Sequence, residues 1–90
     1  MTQEEPPKIE FPCPDYPIKI MGEAHDSLHS VVTTLVDTHA PGFDQTKITV
    51  RDSRNGRYQS ITVFITATGE DQLKALHRDL MASDLIKMVL

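Results

Sequence analysis

Ninety residues carrying thirteen acidic and nine basic side chains give a formal charge of -4. That length is one domain with no room for a separate catalytic module, and that charge repels a phosphate backbone or an anionic membrane. One cysteine, Cys13, cannot close an internal disulfide, and no run approaches the roughly 20 apolar residues a membrane helix needs. A cytoplasmic, soluble protein is the expectation, with no membrane partner.

Met1 to Glu10 holds Glu4, Glu5, Pro6 and Pro7 and little to bury, so it is expected to be a disordered arm rather than a secretion signal. Residues 11–90 are then the single folded domain. Phe11-Pro12-Cys13-Pro14-Asp15-Tyr16-Pro17 follows, and its prolines predict an extended lead-in whose ladder pairing begins only at about Ile18. Ile18 and Ile20 alternate as a half-buried strand does. Leu28, Val31, Val32, Leu35 and Val36 then follow a helical stripe that Asp26 or Ser27 can cap and Ala40-Pro41-Gly42 stops.

Ile48 and Val50, then Ile61, Val63 and Ile65, return to a period of two on either side of Asn55-Gly56, the preferred pair for a two-residue turn with positive φ at both positions. An even loop sets Val50 opposite Ile61 and Ile48 opposite Val63, which gathers the apolar side chains on one face. Leu73, Leu76 and Leu80 are again helical, with Thr68 as expected cap and Asp71 three residues later. Ile86, Met88 and Leu90 alternate to the end. The order is βαββαβ, an α+β ferredoxin-like two-layer sandwich: a four-stranded antiparallel sheet with two helices on one face.

In that register Tyr58 and Phe64 face away from the helices, and Met21 and Val89 are expected to join them. A sheet face carrying Met21, Tyr58, Phe64 and Val89 is more apolar than solvent alone favours, so it is the candidate interaction surface. Dimerisation would add burial to a chain that hides only a little over 60% of its unfolded surface, and a homodimer is among the expected partners.

Groups able to carry chemistry are sparse. The first strand-to-helix loop, Gly22-Glu23-Ala24-His25-Asp26-Ser27, has one glycine and two carboxylates, which suit a phosphate poorly. His25 and His29 are four apart, but Asp26 and Ser27 start the helix after His25, so no metal site is expected. Cys13 stands between Pro12 and Pro14 and beside no base that would ionise it. No glycine-rich nucleotide loop or Ser-His-Asp set appears, and neither a cofactor nor a catalytic residue is expected. Tyr58 and Phe64 with Arg51, Arg54 and Arg57 leave weak single-stranded RNA binding through the open sheet face as the alternative, against which the acidic total weighs.

Phe11-Pro12, Pro17-Ile18-Lys19-Ile20-Met21-Gly22, His39-Ala40-Pro41, Asn55-Gly56-Arg57-Tyr58-Gln59-Ser60-Ile61-Thr62-Val63 and Lys87-Met88-Val89-Leu90 together resemble the YbeD-like family of small uncharacterised bacterial proteins. That resemblance implies a fold similar to the regulatory ACT domains, no established reaction, and a loose association with lipoate-attachment genes. It also implies a ligand-binding role for Gly22 at the first strand-to-helix junction, with Glu23 and His25 beside it; the simpler reading is that Gly22 permits a tight turn. The expected function is a non-catalytic regulatory or interaction module that binds a protein partner or a small metabolite.

Overall fold

The computed structural model describes residues 10–90, so the arm expected over residues 1–10 falls, apart from exposed Glu10, outside the described residues. Four strands, β1 (Cys13–Glu23), β2 (Thr49–Asp52), β3 (Tyr58–Ala67) and β4 (Ile86–Val89), form one antiparallel sheet in the order β2-β3-β1-β4. Two helices, α1 (Leu28–His39) and α2 (Glu70–Met81), carry the chain from β1 to β2 and towards β4 from β3. This is the expected sandwich.

Periodicity explains its core. Leu28, Val32 and Val36 of α1 and Leu76 and Leu80 of α2 meet Ile18, Ile20, Ile61, Val63 and Ile65 of the two central strands in a single buried cluster. Burying each such side chain stabilises the fold by about 1.5–3 kcal/mol before chain entropy is counted.

The prolines delay the first strand less than expected. Pairing reaches Cys13↔Ala67, with an irregularity before Tyr16↔Ile65, and Pro17 lies in the regular ladder opposite Phe64. Lys19 exchanges both backbone bonds with Leu90, at 3.1 and 2.8 Å. Odd-numbered backbone groups of β1 therefore point towards β4, and Pro17, two residues upstream, turns its missing donor to the side where the β4 ladder has not begun. No ladder bond is lost.

The middle hairpin keeps the expected pairing and changes the turn. Val50 lies opposite Ile61, but Ser53 N–H donates to the Tyr58 carbonyl and Gly56 N–H to the Ser53 carbonyl. The loop is thus Arg54 to Arg57, an even four residues, and only Gly56 has positive φ, at 71°. Asn55 uses its side chain instead, its Oδ1 accepting from Ser53 Oγ–H and Arg57 N–H. Although Ile61 is fully buried, Val50 is 46% exposed. It points to the helix side, yet β2 lies at the edge and every residue of it is exposed.

Both helix starts depart from the expected caps. Ser27 holds the N-cap position of α1 without a side-chain bond; the ring of His25 accepts from Ser27 N–H at 3.0 Å. Gly69 precedes α2, and Gln72 rather than Asp71 closes the turn, accepting from Thr68 N–H at 2.8 Å. The Gln72 amide also donates to the carbonyls of His39 at 2.9 Å and Thr66 at 3.3 Å, joining the ends of α1, β3 and α2.

Candidate functional sheet face

Among the described residues no helix lies over one side of the sheet, and strand pairing fixes what stands there. Met88, Met21, Ser60 and Arg51 form one row across the four strands. Lys19, Thr62 and Thr49 form the next, and Pro17 with Phe64 the one after. Tyr58 stands opposite Glu23 at the other end. Met21 and Phe64 are half-buried by their neighbours, whereas Met88 is 46% and Tyr58 37% exposed.

Val89 does not belong to this face. It pairs with Ile20, whose side chain is buried beneath the helices, and packs against the core itself. The cause is a bulge: Gly22 is opposite Ile86 and Met21 is opposite Met88, so β4 advances two residues while β1 advances one. Lys87 is the surplus residue. Such an insertion reverses the alternation beyond it, so Ile86 and Val89 point inward and Met88 outward. Met88 takes the place expected of Val89 on the open face.

Around Tyr58 the face dips into a depression of about 170 Å³ lined by Met21, Arg51, Ser53, Tyr58 and Ser60 among others. The Arg57 guanidinium lies 5.9 Å from the centroid of the Tyr58 ring, at the outer range of a cation–π contact. Glu23 carries the counter-charge, its carboxylate 3.8 Å from Lys87 Nζ. Thioether, phenol and guanidinium side by side can accept a partner that is partly apolar and partly acidic.

Gly22, Glu23 and His25 are not brought onto one wall. Gly22 is buried, and a Cβ there would stand 2.6 Å from the Leu85 carbonyl oxygen and 2.7 Å from Leu28 Cδ1, so protein fills the space its missing side chain leaves. Glu23 points to the open face opposite Tyr58, while His25 is bonded back to its own loop. His25 and His29 do not share a helix face, because α1 begins at Leu28.

One polar pair had no signal in the sequence. His39 Nε2–H donates to Asp79 Oδ2 at 2.6 Å, with the side chains 16% and 36% exposed. Forty positions separate the two residues, and no spacing in the sequence links them. The His39 bond holds the Asp79 carboxyl below its usual range; partial burial opposes this, and the charges of His39 and Arg78 assist it. Next to the pair lies a cavity of about 210 Å³ lined by His39, Pro41, Phe43, Thr66, Thr68 and Gln72 among others. No group of three His, Cys, Asp or Glu able to hold a metal occurs among the described residues. No helix of the described residues is long and apolar enough to cross a membrane.

Comparison with known proteins places this geometry. Residues 6–90 match the family model described as Protein of unknown function (DUF493). A UPF0250 protein of Azotobacter vinelandii is 48% identical over 89 residues, covering 99% of this chain and 97% of that one. A UPF0250 protein of Nitrosomonas europaea is 44% identical over 90 residues, covering both chains fully. Among solved structures, Protein HP0495 from H. pylori superposes with a TM-score of 0.75 at 19% identity, over 99% of this chain and 98% of that one. The ACT domain from GTP pyrophosphokinase of Chlorobium tepidum does so with a TM-score of 0.66 at 16% identity, over 82% and 91%.

Proposed function

This chain belongs to the DUF493 (UPF0250) family, and from that premise we propose that it is a non-catalytic regulatory module that captures a protein partner through the open face of its sheet. The observation carrying the proposal is the asymmetry of the two faces. Both helices lie on one side, while Met21, Tyr58, Phe64 and Met88 stand on the other among serines and threonines. Likeness to an ACT domain supports a regulatory reading, since the fold is shared with a domain of a larger enzyme. A small metabolite is the second ligand class, for which the depression at Met21, Arg51 and Tyr58 is the proposed seat. Lipoate metabolism is the physiological setting we propose, on the resemblance to YbeD-like proteins alone.

Affinity capture from bacterial lysate, with and without prior removal of small molecules, tests this reading in the wild type and in Phe64→Glu. A set of captured proteins lost in Phe64→Glu is the expected result, and equal capture by both chains rejects the open face. Salt-sensitive binding to short RNAs that disappears when Arg54 and Arg57 are removed would put the RNA alternative in its place. Unchanged lipoyl-protein content in a strain lacking the gene would remove the lipoate setting.

A further inference from the structure

Asn55-Gly56 carries chemistry that the open face does not use. Asn55 is the sole asparagine of the chain, both residues are exposed, and a Cβ on Gly56 would meet nothing within 4 Å. With no side chain in its way, the Gly56 nitrogen can attack the Asn55 carboxamide. A bond forms between Gly56 N and Asn55 Cγ, the Cγ–Nδ2 bond breaks, and the Gly56 proton passes through water to the departing nitrogen, which leaves as ammonia. Water then opens the five-membered imide. Opening at Cγ leaves aspartate, and opening at the Asn55 main-chain carbonyl leaves isoaspartate, with one more carbon in the backbone.

Turn geometry decides when this happens. Gly56 N–H donates to the Ser53 carbonyl at 2.9 Å, closing a turn with Arg54 and Asn55 at its centre. Among the described residues Asp15 is the one non-glycine with positive φ, so both central residues have negative φ, which with trans bonds leaves type I of the hydrogen-bonded turns. There the second central residue has ψ near about 0°, which eclipses the Gly56 nitrogen with the main-chain nitrogen of Asn55 and leaves its Cβ roughly a third of a turn away. Closing the imide requires that nitrogen to eclipse Cβ instead. The Gly56 proton is held by Ser53, and the Asn55 side chain by its Oδ1, which accepts from Arg57 N–H at 3.0 Å and Ser53 Oγ–H at 3.1 Å. We infer that Asn55 is a deamidation site which the folded hairpin keeps closed, so that it converts only in molecules whose hairpin has opened. Either product adds a negative charge between Arg54 and Arg57. Aspartate keeps the two acceptor bonds, whereas isoaspartate lengthens the loop, so Ser53 and Tyr58 no longer close it in register and the depression they both line loses that wall.

Intact-mass and isoaspartate analysis of the full chain, held in mildly alkaline buffer with and without concentrated urea, tests this. The folded wild type should convert roughly tenfold or more slowly than the unfolded chain, the ratio being set by how seldom the tip opens. Ser53→Ala removes the hydroxyl that donates to Asn55 Oδ1 and accepts from Tyr58 N–H at 3.0 Å. It should therefore convert faster than the wild type when folded, as judged by circular dichroism, and at the wild-type rate in urea. In the separated isoaspartate form the Ser53 and Tyr58 amides should exchange hydrogen faster than in the unconverted chain. Equal rates for the wild type in the two states, a folded Ser53→Ala no faster than the wild type, or unchanged exchange in the isoaspartate form would overturn the inference.

Discussion

Replacing Gly22 by alanine should unfold this protein more readily through a contact with backbone, which the surroundings cannot relieve by a change of rotamer. The added Cβ would lie 2.6 Å from the Leu85 carbonyl oxygen and 2.7 Å from Leu28 Cδ1. Leu28 can rotate away at some loss of packing, but the Leu85 carbonyl already accepts from Glu23 N–H at 2.8 Å and holds β4 to β1 there. Overpacking of this kind costs about 3 kcal/mol, against a gain near 0.7 kcal/mol from stiffening the unfolded chain, which leaves a net loss of about 2 kcal/mol. In a domain of this size that lowers Tm by about 8–16 °C. Urea titration followed by far-ultraviolet circular dichroism measures the loss, and hydrogen exchange at the Glu23 amide shows whether the strand junction opens. Adding Leu28→Val should restore only part of the stability, because the carbonyl contact remains. A Gly22→Ala protein as stable as the wild type, with an unchanged Glu23 amide, would refute the packing argument and return the glycine to a role in contacting a ligand.

Gln72→Ala should cost about 1–2 kcal/mol, since it frees the carbonyls of His39 and Thr66 and the amide of Thr68 where three elements meet; thermal denaturation measures it, and an unchanged Tm would show that water replaces the side chain without loss. The Asp79 carboxyl is lowered in the folded state from its ordinary 3.8, chiefly by the His39 bond, so its contribution is complete above that value and is lost as pH falls below it. Comparing urea midpoints of the wild type and Asp79→Asn from pH 6 downward should show a shallower acid decline in the variant, whereas parallel curves would detach Asp79 from acid stability.

Most of the core was legible because it depends on periods that local backbone geometry enforces. The stripe from Leu28 to Val36 and the alternation through Ile61, Val63 and Ile65 each expose one apolar side, and only a shared core satisfies them together. What escaped depends on contacts distant in sequence. Alternation through Ile86, Met88 and Leu90 is plain on paper, yet a single surplus residue at Lys87 turns Val89 inward and Met88 outward. Caps misled for a local reason: no hydroxyl caps either helix, and the backbone amides of Ser27 and Thr68 themselves donate to the side chains of His25 and Gln72. Gly22 was expected as a ligand contact or a turn, and its packing against Leu85 and Leu28 was invisible before β4 and α1 were placed. The His39–Asp79 pair could not be anticipated from spacing.

The surplus residue at Lys87 has one more effect, on how far assembly can proceed. A sheet has two borders, and a molecule offering a smooth border on each side can add neighbours without end. Here the border formed by β4 is kinked by the bulge, so a straight incoming ribbon meets it out of step. The border formed by β2 is the straight one, so this sheet offers an incoming ribbon one regular side and not two.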